Sequence, residues 1–157
     1  MRVFLRATLI FIGAMFLQWW WNTHFAYWGA APQFLLVLTI LIAARRGTVV
    51  AMLAGFGWGL YLDVARAELF GASALTLTLA AYLVGVVRRQ VDLRAVGPLA
   101  AISFVMTWAI FLSQGILGLI FTGSFEWSGW IAITATPLLN AAAITLASLS
   151  WDVWGER

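Results

Sequence analysis

Residues 44–89 read ARRGTVVAMLAGFGWGLYLDVARAELFGASALTLTLAAYLVGVVRR. Two arginine pairs, Arg45-Arg46 and Arg88-Arg89, bracket two apolar runs, and the link between the runs holds Asp63, Arg66 and Glu68. A guanidinium is costly to place in hydrocarbon, so each pair marks a point where the chain leaves a bilayer. Two crossings between the pairs return the chain to the face it left. The stretch therefore predicts a helical hairpin across a membrane, with both arginine pairs on one side and the link on the other.

The rest of the chain extends that pattern. Of its 157 residues 64% are hydrophobic and only 10% are charged, and its mean hydropathy is +0.97. A soluble domain carries about 25% charge to solvate its surface, so much of this apolar surface is expected to face lipid. Six apolar runs of spanning character occur at about 3–21, 27–44, 48–62, 72–87, 96–121 and 129–149. The expectation is an all-α integral membrane protein forming one polytopic domain over residues 1–157. The first run follows Arg2 and Arg6 as a signal peptide would. It ends, however, in Trp19-Trp20-Trp21 with no small-residue cleavage site, which predicts an uncleaved, anchored helix.

Six spans with the N-terminus inside place Arg2, Arg6, Arg45, Arg46, Arg88, Arg89, Arg94 and Arg157 on the cytoplasmic face and leave only Arg66 outside. This asymmetry follows the positive-inside rule, predicts cytoplasmic termini, and makes Arg45, Arg46, Arg88 and Arg89 topology determinants. The net charge of +3 is carried by separated pairs rather than by one basic stripe, so a nucleic-acid partner is not expected. The absence of cysteine excludes disulfides, thiolate metal sites and a cysteine nucleophile.

Little in the spans suggests chemistry. His24, the only histidine, lies beside Asn22 and Thr23 at the end of the first run and reads as part of an interfacial polar turn. No paired acids, zinc-binding helix motif, Ser-Lys dyad or phosphate loop occurs. The six acids, Asp63, Glu68, Asp92, Glu126, Asp152 and Glu156, fall at run ends or in connections, which disfavours an ion-driven pump. Gln114 and Asn140 are read as interhelical hydrogen-bonding groups. No cofactor and no enzymatic activity are expected.

Ala51, Gly55 and Gly59 stand four apart, placing small residues on one helix face, and Gly57 thins the same region. Small residues let helices approach closely in lipid, either within the protein or against a partner. The third and fourth runs, of only about 15–16 residues, would cover roughly 22–24 Å and draw the Asp63–Gly71 link into the membrane edge. A partly desolvated Asp63 then needs a cation or several N–H donors. Arg66, three residues on, is the cation at hand, in a salt bridge that orders the link or helps dock a partner.

In this region the chain resembles the rod shape-determining protein MreD family. The resemblance rests on Pro32-Gln33-Phe34-Leu35-Leu36, Arg45-Arg46-Gly47, Gly55-Phe56-Gly57-Trp58-Gly59-Leu60-Tyr61-Leu62-Asp63, Gly71-Ala72-Ser73-Ala74-Leu75, and Tyr82-Leu83-Val84-Gly85 before Arg88-Arg89. The family pattern is approximately G-F-x-x-G-L-x-x-D, a linker, a small-residue run and Tyr-x-x-Gly. It is matched over about Pro32 to Arg89; the tryptophan cluster and the short tail depart from it. Carried over by position, Gly55, Gly59, Asp63, Gly71, Tyr82 and Gly85 are the motif residues; with Ala51, the glycines and Tyr82 are expected at helix packing or a partner interface, and Asp63 is expected to fix the outer link.

The resemblance implies a membrane scaffold of the bacterial cell-elongation machinery in the cytoplasmic (inner) membrane. Its implied partners are membrane lipid, a bitopic MreC-like protein, the RodA–PBP2 peptidoglycan synthase and MreB filaments. It also implies a fold similar to the six-helix S subunits of vitamin-type ECF transporters. A solute-binding transporter subunit is the alternative, and it would need several polar groups converging on a closed pocket. A lipid-handling protein, with a groove open to the bilayer, is a third.

Overall fold

The computed structural model describes residues 2–24, 30–66, 69–123, 125 and 129–155, and side chains over 8–24, 30–65, 69–123, 125 and 129–150. All regular structure among them is α-helical: α1 (Arg2–His24), α2 (Phe34–Arg45), α3 (Thr48–Arg66), α4 (Ala72–Val87), α5 (Val96–Thr122) and α6 (Trp130–Gly155). Long apolar runs take this form because a helix bonds its own N–H and C=O groups without help from water.

Three stretches are long and apolar enough to cross a membrane: Thr48–Ala65, Val96–Thr122 and Trp130–Ser150. Only 28% of the α5 stretch is buried in the protein, and Leu112, Leu119 and Ile120 lie exposed along it. An apolar surface of this extent fits lipid rather than water.

The short helix α2 occupies the centre. Its Leu35, Leu36, Val37, Thr39, Ile40, Leu41, Ala43 and Ala44 are all buried, and it packs on each of the other five helices. At 12 residues it rises only about 18 Å. It begins at Phe34, later than the start near residue 27 read from hydropathy, and residues 30–33 are not helical. Pro32 accounts for part of this, since proline biases the preceding residue away from helical geometry. Residues 25–29 lie outside those described.

The α3–α4 hairpin is the most closely packed pair, followed by the α5–α6 hairpin. Helix α1 is peripheral, joined to α3 where Trp58 stacks on Phe11 at 5.2 Å and donates its indole N–H to the Phe11 carbonyl at 3.2 Å. Helix α3 corrects a sequence expectation. It has 19 residues and continues past Asp63 to Arg66, so it rises about 28 Å and is not a short span. An aspartate is tolerated inside its last turns because the carboxylate has partners on the next helix.

The two arginine pairs come together at the opposite end of this hairpin. Arg46 caps α2, Gly47 turns the chain at φ +116°, and the Arg88 Nη1 donates to the Ala43 carbonyl at 3.2 Å. A cation on the last carbonyls of α2 is favoured by the helix dipole. Arg89 lies exposed.

Candidate functional site

Asp63 is only 4% exposed. Its Oδ1 accepts the Ser73 N–H at 2.8 Å, and its Oδ2 accepts the Gly71 N–H at 3.0 Å and the Ala74 N–H at 3.1 Å. The first N–H groups of any helix lack intrahelical acceptors. At α4 the N-cap is Gly71, which has no side chain to supply one. The carboxylate of α3 does so instead, placing a negative charge at the positive end of the α4 dipole.

Of the two ways to satisfy a buried Asp63, the structure provides N–H donors. The side chain of Arg66, like Glu68, lies outside the described residues. Gly71 adopts φ +97°, and a Cβ there would meet nothing within 4 Å. Its glycine therefore serves backbone conformation rather than close packing.

The small residues form a seam between α3 and α4. A Cβ on Gly59 would run into the backbone of Ala74 and Ser73, and one on Gly55 would lie 3.0 Å from the Leu77 carbonyl oxygen. Near the arginine end a Cβ on Gly85 would collide with the Thr48 side chain. Ala51 is fully buried on the same helix as Gly55 and Gly59. The structure thus brings Ala51, Gly55, Gly59 and Gly85 into internal packing. Tyr82 is apart from them, 50% exposed on the outer side of α4 with Leu75 and Leu79.

Beside the Asp63 junction lies a cavity of about 40 Å³. Its polar lining is Gln18 and Asn22 of α1, Gln33 before α2, Ser73 and Thr76 of α4, and Gln114 of α5, and Leu35, Leu62, Leu77 and Ile110 form the rest of a largely apolar wall. The Gln18 Nε2 donates to the Asn22 Oδ1 at 3.1 Å and to the Pro32 carbonyl at 3.3 Å. The Gln33 N–H donates to the Asn140 Oδ1 at 2.7 Å, and the Asn140 Nδ2 donates to Thr107 at 2.9 Å. Asn140 is therefore an interhelical tie between α6, α5 and the start of α2. Gln33 Oε1 is buried without a partner among the described residues.

This convergence was missed in the sequence, where the same residues are scattered over nearly a hundred positions. A signal was present. The six alternating crossings expected from the arginines would put the end of run one, the starts of runs two and four, and the later part of run five at one level. Among the described residues no group of three or more His, Asp or Glu gathers as a metal site.

The model of the family described as rod shape-determining protein MreD matches residues 1–149. No curated protein and no solved structure matches the chain. With nearly the whole length matched, the chain belongs to the rod shape-determining protein MreD family.

Proposed function

We propose that this rod shape-determining membrane protein is a non-enzymatic scaffold of the bacterial elongation machinery, holding an MreC-like single-span partner and supporting peptidoglycan synthesis by a RodA–PBP2 pair, with MreB filaments on the cytoplasmic side. In this reading it crosses the cytoplasmic membrane six times with both ends inside, on the plan of the ECF S subunits. The family match and the arginine distribution support that topology.

The observation that carries the scaffold role is the fate of the motif carboxylate. Asp63 is engaged by three backbone N–H groups, and the motif glycines Gly55, Gly59 and Gly85 are engaged by helix packing. The residues that define the resemblance thus build a rigid hairpin, and what the hairpin presents outward is apolar: Leu53, Phe56, Leu75, Leu79 and Tyr82. A single-span partner is apolar over its membrane segment and fits such a face. The test is co-purification of the MreC-like protein with wild-type and Asp63→Ala chains, alongside rod-shape complementation. Reduced capture or accumulation is expected; unchanged capture, expression and shape would remove Asp63 from the account.

The solute-binding reading gains the convergent polar groups it needs. The size of this cavity weighs against it, because about 40 Å³ is far below the roughly 300–1,000 Å³ of small-molecule pockets. A vitamin-sized compound that co-purified in place of any MreC-like protein would reverse this choice.

A further inference from the structure

We infer that the polar cavity beside α4 is a recognition site for the tip of an uncharged polyol: a hydroxymethyl group and its neighbouring hydroxyl. Six uncharged hydrogen-bonding side chains from α1, the start of α2, α4 and α5 meet there; Thr76 bonds back to its own helix, as Thr39 and Thr145 do elsewhere, while Gln33 and Gln114 keep unused hydrogen-bonding groups. A site built from neutral amides and hydroxyls between apolar helices is a specific arrangement, and its unused valences define the ligand.

On the acceptor side Gln33 Oε1 is buried and has no partner among the described residues. Gln114 has no side-chain hydrogen bond among them and offers both a carbonyl oxygen and an NH₂ group. The exposed Asn22 at the rim accepts from Gln18 through its amide oxygen, which leaves its N–H donors unused. The nearest charge, Asp63, is engaged by three backbone N–H groups. A carboxylate ligand only accepts and an ammonium only donates, so each would leave part of the lining unpaired and bring an uncompensated charge. A hydroxyl does both. Neighbouring hydroxyls therefore match a lining that mixes free donors with free acceptors.

Size limits how much of the molecule enters. About 40 Å³ holds roughly three water-sized groups, enough for a polyol's leading carbons and oxygens but not for a whole sugar ring. The remainder lies outside, and the fold leaves room for it. Helices α1 and α5 both line the cavity, yet among the described residues α1 packs only on α2 and α3. Gln18 and Asn22, the α1 residues that line the cavity, flank the exposed Trp19 and Trp20, side chains that favour the head-group level. The hydroxyls arrive from that level, either on a sugar-headed lipid or as a free polyol.

The full-length chain is purified in an amine-oxide detergent, which has no sugar head of its own. It is offered monoglucosyl diacylglycerol, diacylglycerol and phosphatidylcholine with identical acyl chains, and retention is read by native mass spectrometry. The glucosyl lipid is expected to be retained about five- to tenfold over the other two, and Gln114→Leu and Gln33→Leu are expected to abolish the preference, as removal of one or two hydrogen bonds would. Gln114→Asn should restore part of it. If Gln114→Leu does not fold, as judged by gel filtration and thermal unfolding without lipid, Ser73→Ala takes its place, because that change keeps the backbone N–H bound to Asp63. Competition by methyl glucoside supports the site with a free polyol as source; retention that methyl glucoside does not displace supports it with the lipid as source. Equal retention of all three lipids, or a preference that survives the substitutions, overturns the inference. No partner protein enters the assay, so its outcome is independent of the scaffold reading.

Discussion

The α3–α4 and α5–α6 hairpins are both pairs of apolar helices, yet they are held by different means. In α3–α4 the backbones approach so closely that Gly59 has the Ala74 backbone where its Cβ would be, and a carboxylate from one helix caps the other. In α5–α6 the tie is made by side chains, the Asn140 amide on Thr107. Lipid provides no hydrophobic drive for association, so both hairpins depend on packing and polar contacts. The first depends on the absence of atoms and the second on their presence. Sequence tolerance should differ accordingly.

The largest effect is expected from Gly59→Leu, which sets a side chain against backbone that cannot rotate away. Overpacking costs about 1–3 kcal/mol where neighbours yield, and more where they do not. Accumulation in membranes, read by immunoblot against wild type, should fall to a small fraction. Normal levels would mean that α3 and α4 are not so closely apposed.

Asp63→Ala should follow, because it strands two or three N–H groups at a buried helix start, at about 1–3 kcal/mol for each group left unpaired. Asp63→Asn keeps one acceptor oxygen and should fall between alanine and wild type in thermal unfolding in detergent. If asparagine and alanine are equally damaging, the negative charge at the α4 terminus matters more than the hydrogen bonds.

In the second hairpin, Asn140→Leu removes one interhelical hydrogen bond and leaves the Gln33 N–H without its acceptor. The bond to Thr107 alone is worth about 0.6 kcal/mol by the average for such contacts, and the stranded N–H adds to it. A fall in unfolding temperature smaller than that of Asp63→Ala is expected. A larger fall would reverse the ranking of the two hairpins.

The smallest change is expected from Gly115→Ala. The atoms nearest its Cβ would all belong to the ring of Phe125, a side chain that can rotate, where Gly59 meets backbone. Near-wild-type accumulation is the expected result. Loss comparable to Gly59→Leu would show that glycines in α5 are as constrained as those in α3.

Much of this was legible in advance, for identifiable reasons. The arginine pairs at 45–46 and 88–89 bound α3 and α4 because charge cannot be hidden in hydrocarbon. The spacing of Ala51, Gly55 and Gly59 marked the packed face because four residues are about one helical turn. The end of α3 was not legible, because an aspartate in an apolar run marks a helix end unless it has partners, and those of Asp63 lie eight to eleven residues ahead. Gly71 was grouped with the packing glycines, although its backbone angle is what calls for glycine.

By itself the sequence determined that the chain is apolar and helical, in keeping with a membrane protein. Those properties follow from local composition, since a bilayer tests each segment separately. Tertiary structure decided that α2 is the buried axis, that Asp63 caps α4, and that polar residues from four segments share one cavity. Six runs of similar hydropathy carry no label for inside and outside. That distinction arises only when helices pack and each side chain meets either another helix or lipid.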